Sequence, residues 1–269
     1  MSRISKTFKR LQREGRKALI PFITAGDPNL ATTEKLVAVL EKAGADIIEL
    51  GVPFSDPMAD GPVIQKASER ALKKGVTLQQ ILSLVKKVRK KSQIPILLMG
   101  YYNPVFIMGE ENFASCAFVA GVDAVLIVDL PPEEAGGLRK ALRKNKIDLI
   151  HLLAPTSDEG RIVKAAKNGS GFIYYVSLTG VTGAKLKVTA SGAPAAEISD
   201  QLKRIRKHTK LPLAVGFGIS TPEQARELAK IADGVVVGSA LVKIIASKKG
   251  GSSLFPKVSR FVSSLRKVL

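Results

Sequence analysis

Short apolar runs alternate with longer segments of helical periodicity along the chain. Eight of these runs are rich in valine, isoleucine and leucine, which is typical of strands in a parallel sheet that helices cover on its outer face. The predicted strands are residues 19–25, 46–50, 94–100, 124–130, 148–154, 171–177, 212–217 and 234–238. The predicted helices are residues 29–43, 63–91, 110–120, 132–145, 158–168, 194–208, 221–231 and 239–268.

Eight strand–helix pairs in 269 residues fit a closed (β/α)8 TIM barrel better than an open doubly wound sheet. The charged segment before the first strand, "MSRISKTFKRLQREGRK", predicts an extra N-terminal helix. No linker, low-complexity tract or internal repeat interrupts the alternation, so we expect residues 1–269 to form a single domain.

The sequence also bears on location. No apolar run approaches the roughly 18 residues that a membrane span needs, and the N-terminus lacks the apolar core of a secretory signal. The single cysteine, Cys116, cannot form an internal disulfide. We therefore expect a cytoplasmic protein without membrane association.

The chain is strongly basic, with 42 Lys and Arg against 23 Asp and Glu and a formal net charge of +19. The basic residues are spread over the predicted helices, and no aromatic residues interleave with them as a base-stacking surface would require. We interpret them as solvated helix faces, so no nucleic-acid partner is expected. A surface for nucleic acid or an acidic partner is the alternative, and the positive field should favour an anionic substrate.

The stretch "IIELGVPFSDPMADGP" places carboxylates at the end of an apolar run. In a barrel, the chemistry lies at the carboxyl ends of the strands and in the loops after them. Glu49, near the end of one strand, and Asp60, in the next loop, could divide an acid–base task. Alternatively, Glu49 pairs with a lysine, and Asp56 and Asp60 form turns or cap a helix. We interpret Asp56 as structural.

Glycines lie between strand and helix at the last two strands, in "VGFGIS" (215–220) and "VVVGSA" (235–240). Exposed backbone N–H groups and a helix N-terminus at such junctions bind phosphate, and barrels frequently bind phosphate after strands seven and eight. Tight turns without a ligand are the alternative. The long polar segment 177–195 after the sixth strand predicts a lid over the site, with a surface loop as the alternative.

Three residues with reactive side chains are interpreted as structural. His151 lies in a predicted strand and His208 in a basic helix, and neither has further ligands at metal spacing. Cys116 resembles a small buried apolar residue. The sequence therefore predicts no metal site.

Motifs along the whole chain resemble those of the tryptophan synthase alpha subunit family. The most specific is "IIELGVPFSDPMADGPVIQ", which begins at Ile47. Its companions, in the family's order, are "PFITAGDP" (21–28), "YYNPVF" (101–106), "VDAVLIVDLPPEE" (122–134), "GFIYYVSLTGVTG" (171–183), "GFGIS" (216–220) and "DGVVVGSALVKII" (233–245). The chain departs from the family in its strong positive charge and in Met99, where leucine is frequent.

The resemblance implies a TIM barrel that cleaves indole-3-glycerol phosphate to indole and glyceraldehyde 3-phosphate. It implies an α2β2 complex, in which a pyridoxal-phosphate β subunit takes up the indole, and no cofactor in this chain. Loops 55–62 and 177–184, the second containing Thr182, would be mobile, and "YYNP" (101–104) with the first loop would face the β subunit.

The resemblance also implies roles for individual residues. Glu49 would be the catalytic glutamate, Asp60 the catalytic aspartate, and Tyr174 a tyrosine near the glutamate. The residues expected to pack the indole ring are Phe22, Ile64, Met99 and Leu126, and those expected to bind phosphate are Gly183, Gly216, Phe217, Gly218, Gly238 and Ser239.

Three rival interpretations remain. Another phosphate-binding barrel enzyme is the nearest, but a lyase that forms indole-3-glycerol phosphate would need a lysine in its pocket, and "VPFSDPMADG" contains none. A scaffold that only activates the β subunit would leave Glu49 and Asp60 unexplained. Nucleic-acid binding would depend on charge alone.

Overall fold

Eight parallel strands follow one another in chain order around a closed barrel, and β1 pairs with β8 to complete it. The computed structural model describes residues 2–176, 193–216, 218–247 and 253–269. The strands are β1 (Ala18–Thr24), β2 (Ile48–Gly51), β3 (Ile96–Gly100), β4 (Ala124–Ile127), β5 (Asp148–Leu153), β6 (Ile173–Val176), β7 (Leu213–Gly216) and β8 (Gly234–Val237). The predicted TIM barrel is confirmed.

Helices surround the strands. Those within the described ranges are α1 (Arg3–Arg13), α2 (Leu30–Lys42), α3 (Pro62–Leu72), α4 (Leu78–Arg89), α5 (Tyr102–Met108), α6 (Glu110–Ala120), α7 (Gly136–Lys144), α8 (Glu159–Asn168), α9 (Ala193–Arg206), α10 (Pro222–Ala229), α11 (Ser239–Ala246) and α12 (Leu254–Arg266). None of these described helices is long and apolar enough to cross a membrane.

Two predicted helices are wrong in extent. The helix predicted over 63–91 is two helices, because Gly75 adopts a φ of +69° that ends the first and Thr77 caps the second. The Thr77 side chain accepts from the Gln80 backbone, and the Gln80 side chain accepts from Thr77. The helix predicted over 239–268 is likewise two, α11 and α12.

The predicted N-terminal helix, α1, covers the amino end of the barrel. Ile4, Phe8 and Leu11 share one face of this helix and are buried against side chains from the barrel interior. The Phe8 and Phe172 rings lie 5.6 Å apart between centroids. Because apolar side chains among the described residues fill this end of the barrel, the opposite, carboxyl end is where the interior can receive a ligand.

A reciprocal pair of hydrogen bonds repeats at the amino end in every second strand pair of the barrel, that is, between β1 and β2, β3 and β4, β5 and β6, and β7 and β8. A residue just before each even-numbered strand donates its backbone N–H to a carbonyl of the preceding strand, at 2.8–3.0 Å. In return, the residue of the preceding strand donates its own backbone N–H to the side-chain oxygen of the first residue, also at 2.8–3.0 Å. The pairs are Leu19 with Asp46, Ile96 with Asp123, Leu149 with Ser170, and Leu213 with Asp233. We call each reciprocal pair of hydrogen bonds a clasp. The four clasps fix the register of the paired strands at the amino end of the barrel.

Candidate active site

A cavity of about 650 Å³ opens at the carboxyl end of the barrel. Its polar side chains include Glu49 from β2 and Asp60 from the loop that follows, and Tyr174 comes from β6 on another side of the barrel. Apolar side chains line most of the remaining wall. A mainly apolar cavity with a few convergent polar groups is the usual form of a small-molecule site.

Glu49 points into the barrel and is fully buried. It is paired in register with Phe22 of β1 and Leu97 of β3, and neither of its carboxyl oxygens has a hydrogen-bond partner among the described residues. Burial, the larger cause, and the nearby charge of Asp60 together raise the pKa of Glu49 to about 8. The Glu49 carboxyl is therefore mostly protonated at neutral pH.

Asp60 lies in the loop between β2 and α3. Its Oδ1 atom is buried and has no hydrogen-bond partner in the described part of the chain. Burial raises the pKa of Asp60 to about 6, and the hydroxyl of Tyr101 acts in the opposite direction. The cap of α3 is Gly61 without a side-chain hydrogen bond, so Asp60 does not serve as the helix cap.

The loop that carries Asp60 is attached to the start of α5. The Ala59 backbone N–H donates to the Tyr101 hydroxyl at 3.0 Å, and the Tyr101 ring stacks on Phe54 with 4.9 Å between centroids. Tyr101 itself is buried. The position of Asp60 therefore depends on a residue of the next βα unit.

Tyr174 lies close to both carboxyls. Burial raises the pKa of Tyr174 well above its ordinary value, and the charges of Glu49 and Asp60 add to the effect. Its hydroxyl occupies the space where a side chain on Gly216 would be, since a Cβ there would lie 2.4 Å from the Tyr174 oxygen. Gly216 does not line the cavity, so its contribution is to admit the tyrosine.

Three of the side chains expected to pack the indole ring, Phe22, Ile64 and Met99, line the cavity. Leu126 does not: it is fully buried in the apolar cluster below. Val128, the first residue after β4 and two positions beyond Leu126, lines the cavity in its place. Further apolar lining residues that the sequence did not single out are Met58, Leu152, Val176 and Val236.

Glycines after β7 and β8 lie at one side of the cavity. Gly218, with a φ of +70°, and Gly238, the N-cap of α11, both line it, as does Ser239 at the first position of that helix. A Cβ on Gly238 would lie 3.5 Å from the Phe22 side chain. Since both glycines line the cavity, their backbone borders the space that a ligand would occupy. Thr182, Gly183 and Phe217 lie outside the described residues.

Comparison with known proteins identifies the family. The profile of the tryptophan synthase alpha chain matches residues 8–267. A tryptophan synthase alpha chain from Citrifermentans bemidjiense is 59% identical over 99% of this chain and 97% of its own length, and one from Geobacter sulfurreducens is 55% identical over 100% and 99%. The chain belongs to the tryptophan synthase alpha chain family.

Solved structures agree. Subunit alpha of tryptophan synthase from Legionella pneumophila is 41% identical and superposes with a TM-score of 0.91 over 100% of this chain and 98% of that one. A chain of the α2β2 tryptophan synthase complex from Pyrococcus furiosus is 40% identical, with a TM-score of 0.84 over 92% and 97%. The reaction of the alpha chain family is the cleavage of indole-3-glycerol phosphate in tryptophan biosynthesis, and this chain is a lyase of that kind.

Several residues with reactive side chains, which we interpreted as structural from the sequence, lie away from this alpha-chain cavity. His151 is buried on β5, where burial lowers its pKa to about 4. His208 contacts Glu159 at the surface, and Cys116 lies partly buried on α6. Asp56 is exposed. No group of three potential metal ligands occurs among the described residues.

Proposed function

We propose that the cavity binds indole-3-glycerol phosphate, with Glu49 as the acid and base of the cleavage and Asp60 as the acceptor for the indole N–H. One observation carries the proposal. Two carboxyls line one cavity, and their pKa values are raised to different levels, about 8 for Glu49 and about 6 for Asp60. At neutral pH one carboxyl therefore holds a proton and the other is mostly ionised, which separates an acid from an electrostatic stabiliser.

The cleavage requires two proton transfers at neighbouring atoms. The protonated Glu49 carboxyl donates its proton to C3 of the indole ring, and positive charge develops at the ring nitrogen. The bond between C3 and the glycerol carbon then breaks, and its electron pair restores the indole ring. The hydroxyl on that carbon gives its proton to the Glu49 carboxylate as the aldehyde forms. Glu49 ends protonated, as it began.

Asp60 would stabilise the positive charge that develops during this step. An ionised carboxylate that accepts the indole N–H does so most strongly where water is excluded. The buried and unpartnered Oδ1 of Asp60 is available for this hydrogen bond. The apolar walls formed by Phe22, Ile64 and Met99 provide the surface for the flat ring.

The phosphate of the substrate would bind at Gly218, Gly238 and Ser239, at the N-terminus of α11. Unpaired backbone N–H groups at a helix N-terminus favour an anion. Binding energy from this end would hold the reacting carbon beside Glu49. From the family resemblance we extend the phosphate site to Gly183 and Phe217 and the lid to Thr182, and we leave out Gly216, which does not line the cavity.

We further propose a β subunit as the partner of this chain. The related Pyrococcus furiosus chain occurs in an α2β2 complex. Pyridoxal phosphate would belong to that partner, since the Glu49 carboxyl of this chain accounts for both proton transfers of the cleavage. We place the reaction in the cytoplasm because a single cysteine cannot form an internal disulfide.

The rival barrel lyase, which forms indole-3-glycerol phosphate, is disfavoured by the cavity. No lysine is among the residues that line the described cavity. A scaffold without catalytic activity is disfavoured by Glu49, because a buried carboxyl without a partner is costly for the fold.

Replacement of Glu49→Gln tests the proposal. The amide keeps the shape of the side chain but has no transferable proton, so turnover of indole-3-glycerol phosphate should fall by at least roughly 10²-fold. Binding of an analogue that lacks the reacting hydroxyl should stay close to that of the parent. Asp56→Asn, at an exposed position of the nearby loop, is the control and should keep the parent rate. Near-parent turnover by Glu49→Gln would refute the assigned role.

A further inference from the structure

A groove of about 1040 Å³ lies beside α7 and the carboxyl end of α8, near the start of β5. Six basic side chains line it, and all six residues are exposed: Arg139, Lys140, Arg143, Lys144, Lys146 and Lys167. The groove includes Asp148, the first residue of β5, whereas the catalytic cavity includes Ala154, just beyond the end of that strand. The groove and the catalytic cavity therefore lie at opposite ends of the barrel.

The positive charge of the groove is not balanced by acidic neighbours. None of the six basic groups forms an ion pair within the described residues. The one acid among the described lining residues, Asp148, accepts a hydrogen bond from the Ser2 hydroxyl. Arg139 donates to the side-chain oxygen of Asn168, which orients its guanidinium at the edge of the groove.

The arrangement of these charges opposes local stability. Arg139 with Arg143, and Lys140 with Lys144, are like-charge pairs four residues apart on α7, a spacing that destabilises a helix. Lys146 has a φ of +58° and is the one non-glycine residue with positive φ in the described chain. Glycine or asparagine fits that conformation better than lysine.

The electrostatics of helix ends explains the positions of some of the six basic residues in the groove. Basic side chains in a last turn stabilise the negative end of the helix, which accounts for Arg143, Lys144 and Lys167. Arg139 and Lys140 lie further from the end of α7, and Lys146 lies beyond it in a strained conformation. These three residues have no such explanation, and they face the same groove.

We propose that this groove binds an anion made of linked phosphates, either an inorganic polyphosphate or the phosphate tail of a nucleotide. Guanidinium and ammonium groups are the side chains that pair best with phosphate oxygens. No aromatic residue is among the described lining residues, so a base would have no ring on which to stack. Recognition therefore depends on the phosphates and not on a base.

Calorimetric titration with inorganic tripolyphosphate tests this proposal. The catalytic cavity is first saturated with a substrate analogue, so that its phosphate site does not contribute. The groove variant is Lys140→Ala/Lys144→Ala/Lys167→Ala, and the control is Lys86→Ala/Lys87→Ala/Lys90→Ala, three exposed lysines at the end of α4. Both triple variants lower the net charge equally, and circular dichroism and lyase activity establish that each is folded.

We expect the parent and the control to bind tripolyphosphate alike, and the groove variant to bind on the order of tenfold more weakly. Adenosine triphosphate should follow the same pattern, with an affinity close to that of tripolyphosphate. The proposal is overturned if the parent does not bind, or if both triple variants lose affinity equally. It is also overturned if polyglutamate of equal charge or a short RNA binds the groove more tightly than tripolyphosphate does.

Discussion

At the scale of single residues, Glu49 couples the proposed chemistry to the stability of the protein. Its pKa is about 8 in the folded chain and 4.5 in the unfolded one, because burial disfavours the ionised form. Between these values the folded state binds more protons than the unfolded state. The contribution of this carboxyl to the free energy of unfolding is therefore fully present below about pH 4.5, and it is lost as the pH rises to about 8.

The variant Glu49→Gln should remove this pH dependence. We expect the thermal unfolding midpoint of the variant, relative to the parent, to rise steadily between pH 5 and pH 8 and to level off above that. Each pH unit within the window corresponds to at most about 1.4 kcal/mol of unfolding free energy. Calorimetric scans of both proteins across the pH range measure the difference.

Asp60→Asn provides the contrast, since its window should end near pH 6. Parallel midpoint curves for the parent and Glu49→Gln from pH 5 to pH 9 would contradict a raised pKa at Glu49.

The sequence could single out Glu49 and Asp60 because charged residues among apolar ones are conspicuous at a strand end. It is harder to predict from the sequence how far below the cavity an apolar side chain lies in the barrel. Leu126 lies within β4 and Val128 just after its end, and only the three-dimensional stagger of the strands decides that Val128 lines the cavity while Leu126 lies below it. The supporting contact between Ala59 and Tyr101 joins residues 42 positions apart and left no signal in the local sequence.

At the scale of strands and helices, the clasps at the amino end tie odd-numbered strands to their successors. Of the three clasps formed by aspartates, the one at Asp123 is the most buried. The Asp123 side chain is 4% exposed, and its carboxylate pairs with the Arg89 guanidinium at 2.6 Å. The same carboxylate accepts the Ile96 backbone N–H at 2.8 Å and contacts Arg3 at 2.9 Å. Its loss would leave a buried guanidinium and a buried N–H without this partner.

Replacement Asp123→Ala should therefore lower the free energy of unfolding by about 3 kcal/mol or more. Asp233→Ala, which breaks the equivalent clasp at a side chain that is 30% exposed, should cost about 1–2 kcal/mol. Urea titrations of both variants, followed by circular dichroism, give the comparison. Equal losses for the two variants would contradict the dependence on burial.

The element boundaries show why periodicity predicts strands better than helices here. All eight predicted strands are present, because buried parallel strands are continuous apolar runs. The predicted helix 63–91 is interrupted at Gly75, which has a left-handed conformation, and at the capping box of Thr77. Apolar residues recur with helical spacing on both sides of this break, so periodicity alone does not reveal it. α5 was missed because only seven residues, "YNPVFIM", form it, which is too short for a periodic pattern.

At the scale of the whole molecule, the carboxyl end of the barrel exposes apolar side chains next to the proposed active site. Met58, in the Asp60 loop, is 84% exposed, and Phe106 and Ile107 on α5 are 66% and 76% exposed. The loop and α5 are joined through the hydrogen bond from Ala59 to Tyr101, the N-cap residue of α5. Large apolar side chains on the surface of a protein often mark an interface with a partner. We therefore place the proposed β-subunit contact here.

Ile107→Glu should weaken association with a tryptophan synthase β subunit by on the order of tenfold, because it places a charge in an apolar contact. The lyase activity of the isolated chain should stay within about twofold of the parent, since Ile107 does not line the cavity. Val119→Glu, at a 63% exposed apolar position on α6, makes the same change in charge away from the proposed interface and should bind the β subunit like the parent. Surface-immobilised β subunit titrated with each variant measures the affinities. If both variants bind equally well, or both lose affinity to the same degree, the contact does not involve α5, and the exposed residues beside the Asp60 loop need another explanation.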